Sequence, residues 1–132
     1  MSRAAVEKAA AQNGVTLTEA RSSRPEQVEL ITHYTTLGFQ FVTRLIFNRQ
    51  QALTEVVLVQ TNWSQCGPLA EIVKGAYGVP YDVYPGYGLR TWSWRDEKEK
   101  NNVMFRLVGV PSSNRWCDIN YSALNDPHKL GL

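Results

Sequence analysis

This sequence has no apolar run of the roughly 18 residues that a membrane-crossing helix needs. It also has no long block of like charge. The densest charged stretch, Arg95 to Lys100, reads RDEKEK and nearly cancels itself. With 14 basic and 12 acidic residues the formal charge is only +2. That excludes the strong basic excess of an electrostatically driven nucleic-acid or anionic-membrane binder. Histidine is scarce, with His33 and His128 far apart. Together with two separated cysteines they form no CxxC, HxxxH or facial carboxylate pattern, so no metal centre is expected. Gly86 and Gly88 do not make a phosphate loop, because no GxGxxG run, no Lys-Ser/Thr pair and no following helix accompany them. No other cofactor is expected either.

Cysteine is equally sparse. Cys66 and Cys117 permit one disulfide, and two cysteines are also an ordinary count for a reduced cytosolic chain. The first residues, MSRAAVEKAAAQNG, lack the apolar core of a signal peptide. As it stands the sequence reads as cytoplasmic, or as periplasmic or secreted where a signal has been removed.

What is present suits one folded domain over 1–132. The chain is 43% hydrophobic and 20% charged, ordinary values for a globular protein. Residues 2–13 predict a helix with Ser2 as cap and Asn13-Gly14 as stop, and 1–27 form a loosely attached helix and connector. Val15 and Leu17 suggest a short strand. Residues 28–36, VELITHYTT, read as strand, since Thr32, Thr35 and Thr36 weaken the competing helix that would start at Ser23 and Pro25. In 39–47, Phe39, Phe41, Thr43, Leu45 and Phe47 alternate, and 53–60 follows across a short polar turn as a hairpin partner. Residues 66–77 predict the central helix, with Pro68 in its first turn, Ser64 as cap and Gly78 as stop. Its apolar stripe reads Leu69, Ile72, Val73 and Ala76. Residues 81–90 read as loop. Then 90–94 and 103–110 form a second hairpin with 95–102 as its solvated tip, and 115–123 is the last strand. The tail 125–132 is expected to fray.

The expected fold is α+β: an antiparallel sheet built from hairpins, with one central amphipathic helix and an N-terminal helix packed on one face. The two strand groups flank the central helix, without a residue-level repeat between them.

The clearest functional hint is aromatic. Tyr77, Tyr81, Tyr84, Tyr87, Trp92 and Trp94 crowd a segment rich in Pro and Gly. Tyrosines on a stiff backbone give amphipathic contact area at low entropy cost, as protein-binding surfaces do. We therefore take Tyr81, Tyr84, Tyr87, Trp92, Trp94 and Arg90 as candidate binding residues. The competing reading places one face of 92–94 in the core and the loop tyrosines over its edge. A nucleic-acid interface, a less favoured reading, needs Arg90, Arg95 and Arg106 in one groove.

Two resemblances bear on function. Residues 58–73, an apolar strand, a Trp-bearing loop and Cys66-Gly67-Pro68 opening a helix, look like a thioredoxin active-site segment. The resemblance implies a thiolate stabilised at a helix N-terminus. The second cysteine of that motif is replaced by Leu69, leaving at most a monothiol redox protein. A cysteine-hydrolase triad would draw on Cys66, His33 and Asp118, which share no local motif. A second resemblance spans 39–123: a hairpin, a helix ending in Tyr77-Gly78-Val79-Pro80, a strand with Trp92 and Trp94, and a last strand with 119-INYS-122. It looks like the small SmpA/OmlA-type outer-membrane lipoprotein domain and the architecturally similar β-lactamase-inhibitor-protein repeats. That implies a non-catalytic envelope or secreted domain that binds partners. The reading carried forward is a protein-binding module with an unidentified protein partner. A Cys66 redox protein and a nucleic-acid-binding domain are the alternatives.

Overall fold

The structure, a computed structural model, describes residues 1–21, 24, 26–109 and 114–124. An eight-stranded, wholly antiparallel sheet dominates it, accompanied by two helices. Helix α1 is Arg3–Gln12, followed by β1 Thr18–Ala20, β2 Val28–Thr36, β3 Phe39–Phe47 and β4 Leu53–Gln60. A 3-10 turn at Trp63–Gln65 leads into α2, Cys66–Tyr77. Then come β5 Asp82–Pro85, β6 Leu89–Asp96, β7 Asn101–Val108 and β8 Trp116–Ala123.

The strand order is β1-β2-β3-β4-β8-β7-β6-β5. Each half runs helix, then four strands that meander. Helix α2 carries the chain from the middle of the sheet to its far edge, and the second meander returns until β8 lies beside β4. The equivalence reaches the helix ends. Asn13-Gly14-Val15 and Tyr77-Gly78-Val79 both stop a helix, with glycine φ of 68° and 79°.

Residue periodicity explains the core. In the row Thr32, Thr43, Leu58, Ile119, Phe105 and Trp92, register partners share one face. Helix α2 lies on that face, over Phe39, Phe41, Val103, Phe105 and Trp94. Its buried stripe is Cys66, Leu69, Ala70 and Val73, a turn of the helix away from the expected stripe. Ile72 is exposed and Ala76 is too. The physical reason is Cys66, which is joined to Cys117 on β8 and draws the first turn onto the sheet. Both sulfur-bearing residues are fully buried. In the chain-entropy account such a link contributes about 4 kcal/mol.

The opposite face carries a polar ladder. Arg106 grips Asp118 through two bonds, Nε to Oδ1 at 2.8 Å and Nη2 to Oδ2 at 2.5 Å. Arg44 does the same to Glu29 on β2. Asn120 Nδ2 donates to Glu55 Oε2 at 2.7 Å.

Some expectations are corrected. Residues 81–90 are not a continuous loop, because β5 pairs with β6 from Asp82↔Ser93 to Pro85↔Arg90. Proline is tolerated there because β5 is an edge strand. The first strand is Thr18–Ala20, displaced from Val15 and Leu17 because Glu19 pairs across from Leu30. Ser64 does not cap α2. Asn62 caps the preceding 3-10 turn, and α2 starts from Gln65 without a side-chain cap. The tail 125–132, with His128, lies outside the described residues.

Candidate functional site

The segment after α2 is locked at one end and free at the other. Gly78 N–H donates to the Lys74 carbonyl at 2.8 Å and closes the helix. The Gly78 carbonyl then accepts the Trp94 indole N–H, also at 2.8 Å. Trp94 is 2% exposed, so its N–H needs this acceptor. Tyr77 packs against it with ring centroids 5.9 Å apart. Trp92 packs on Phe105 at the same separation, while Lys74 Nζ and the Arg90 guanidinium lie 4.6 and 5.2 Å from its ring. Trp92 and Trp94 are thus core residues, which removes them from the candidate contact set. Alternation along β6 puts both under α2.

Beyond Gly78 the side chains turn outward. Val79 is 92% exposed and Tyr87 88%. Tyr81, Val83 and Tyr84 are also exposed on or beside β5. The Tyr84 ring folds over Gly86, where an added Cβ would fall 2.3 Å from Tyr84 Cε2, so a larger residue there would displace the ring. Tyr81 carries the Arg95 guanidinium at 4.9 Å. Twelve large hydrophobic residues are exposed among the described residues, and six of them lie between Val79 and Leu89. Half of the exposed large hydrophobic residues thus fall in one short stretch, with Val83 and Tyr84 on opposite faces of the β5 edge.

Tyr87 and Arg90 also border a cleft of about 230 Å³ with Trp63, Leu89 and Leu107. Trp63 is the tryptophan of the loop that precedes Cys66. It meets the 86–90 turn because the 3-10 turn and β6 start at the same end of the sheet. Arg115 stacks over its ring at 5.0 Å.

The chain matches no protein-family model, no curated protein and no solved structure.

The remaining candidate residues are scattered. Cys66 is disulfide-bonded, so it offers no thiolate. His33 is exposed on β2, and Asp118 is buried on β8 under Arg106, with β3 and β4 between them. The three do not form a triad. Every described strand pair is antiparallel, whereas a thioredoxin-like site sits on a parallel pair. The three arginines of a nucleic-acid groove are also divided. Arg90 shares the α2 face with Leu107, Arg95 lies on the other face, and Arg106 is neutralised by Asp118. Among the described residues no cluster of three or more His, Cys, Asp or Glu comes together, and no helix is long and apolar enough to cross a membrane.

Proposed function

We propose that this chain is a non-catalytic protein-binding module that engages its partner through the β5 edge. Tyr81, Val83, Tyr84 and Tyr87 are the contact side chains in this reading. Arg90 and the turn after Asp96 form the rim. The observation that carries it is the concentration of exposed apolar and tyrosine side chains within Val79 to Leu89. An edge strand adds a row of unpaired backbone groups, to which an extended partner segment can hydrogen-bond.

Two further features support the reading. The helix-and-four-strand order, present twice, agrees with the resemblance to SmpA/OmlA-type and β-lactamase-inhibitor-like domains, which act by binding. In this reading both helices sit on one face. Arg3 pairs with Glu19, whose register partner Leu30 belongs to the same row as Leu45 and Val56. The buried Cys66–Cys117 disulfide supports an oxidising compartment, as in the periplasm or outside the cell.

The test is affinity capture with three proteins: the unaltered chain, a Tyr84→Ala/Tyr87→Ala double variant, and Val15→Ala as an exposed control in the first half of the chain. The expected result is a partner held by the first and third and lost by the second, at unchanged melting temperature. The same captured set with all three would refute the assignment. A double variant that unfolds would show the tyrosines to be structural and refute it as well.

A further inference from the structure

A second cluster of exposed apolar side chains lies away from the β5 edge. Leu37 at the β2–β3 hairpin tip and Ile72 on α2 are both exposed. Leu37 and Ile72 border a cleft of about 160 Å³ that opens between the helix and the sheet. Its walls include Phe41, Leu58, Val73 and Ile119, and Thr36, Tyr77 and Tyr121 are the lining residues with a hydroxyl.

We propose that this cleft binds a small molecule with one ring-sized apolar body and one hydrogen-bonding group. Size restricts the ligand first. A dry apolar cavity of about 150 Å³ accommodates benzene, whereas drug-sized ligands use about 300 Å³ or more. A single ring fits; a nucleotide or a long acyl chain does not. Wall chemistry restricts it next. Apolar side chains form the body of the cleft, so a charged ligand would be desolvated without a counter-ion. The polar end is set by Tyr121. Its hydroxyl is hydrogen-bonded to the neighbouring Tyr77 phenol, and two phenols joined by one hydrogen bond keep one O–H donor and free lone pairs for a ligand.

The rim points the same way. Leu37 has φ 51°, in the left-handed region, at a tight hairpin turn where Asn or Gly is the usual choice. Its side chain is 74% exposed. A leucine there strains the turn and adds nothing to the core, but it gains contact with an occupant of the cleft. Ile72 and Ala76 likewise stand outside the buried stripe of α2 and face this opening.

The test uses p-cresol and toluene as probes, titrated into the disulfide-bonded chain and followed by NMR. Saturable shifts are expected at Leu58, Leu69, Val73 and Ile119, with p-cresol at least about threefold tighter than toluene. Ala76→Trp at the exposed rim should weaken both by at least about tenfold. Tyr121→Phe should remove the advantage of p-cresol. Should Ala76→Trp disturb folding, Ile72→Trp closes the same rim. No saturation below about 10 mM would overturn the proposal, since that affinity is below what so small a ligand gains from a fitted site. Shifts centred on 79–89, or binding indifferent to the rim variants, would overturn it too. Saturation by a short leucine-containing peptide but not by p-cresol would assign the cleft to a protein partner and end the small-molecule reading.

Discussion

Helices α1 and α2 stand in the same place in the two halves of the chain, each ahead of four antiparallel strands. Yet α1 buries no side chain fully, while α2 buries Cys66, Leu69, Ala70 and Val73. The composition explains the difference. Helix α1 reads RAAVEKAAAQ, with Val6 as its largest apolar group. Alanine favours helix formation but offers little area to bury. Helix α1 is held instead by polar ties: Ser2 accepts from Ala5 N–H at 3.1 Å, Arg3 N–H donates to the Gln51 carbonyl, and the Arg3 side chain bonds Glu19. These are exposed contacts of small net worth. The edges differ in the same way. The first half ends at three residues, Thr18 to Ala20, and the second at Asp82–Pro85, which holds Tyr84 and is flanked by Tyr81 and Tyr87. One topology thus serves two purposes: a plain half that completes the sheet, and a half that holds the core and displays the aromatic edge.

The comparison breaks most severely at the disulfide. Cys66 and Cys117 are 51 positions apart and belong wholly to the second half. Replacing both by alanine should lower stability by about 4 kcal/mol in chemical denaturation. A loss below about 1 kcal/mol would mean that α2 is held by packing alone, and that the contrast between the halves does not need the covalent link.

A gentler cut compares equivalent helix positions. Leu69 is 3% exposed, and Leu69→Ala should cost about 3 kcal/mol through lost burial and the void it leaves. Val6→Ala in α1 should cost less than about 0.5 kcal/mol, as surface changes do. Similar costs would show α1 to be a full member of the core.

How much of this was legible depends on how local each signal is. Strands β2, β3 and β4 and helix α2 were legible to the residue, because β-branched runs, alternation and the Gly78-Val79-Pro80 stop all lie within the elements they define. The edge strand β5 was not. Four residues containing Val83, Tyr84 and Pro85 carry no measurable period, and their partner, β6, supplies the order. The placement of β8 beside β4 depends on strand pairing far apart in sequence, which no window reveals. Trp92 and Trp94 are candidate contact residues in the sequence, with the core as the competing reading. Only the side of the sheet that α2 covers decides, and that side follows from the Cys66 link rather than from the stripe of Leu69, Ile72, Val73 and Ala76. The exposure of Tyr87 was legible because Gly86 and Gly88 flank it, whereas Tyr84 lies in β5 and is exposed because that strand is the sheet edge.

The finest test uses the two helix stops, Gly14 and Gly78. Gly78 has φ 79° and ψ −138°, a region almost closed to residues with a Cβ. No neighbouring atom would crowd an added Cβ at either glycine, so the effect of alanine is backbone strain alone. At Gly78 that strain cannot be relieved. Its carbonyl holds the Trp94 indole, its N–H closes α2, and the chain must turn at once into β5. Gly78→Ala should therefore cost about 2 kcal/mol globally. Gly14 has φ 68° and follows a helix with no buried residue, so the last turn of α1 can open and release the strain. Gly14→Ala should cost less than about 1 kcal/mol, and amide exchange in α1 should speed up without any change in α2. Equal losses at the two glycines would mean that α1 is as firmly seated as α2, whatever its burial suggests.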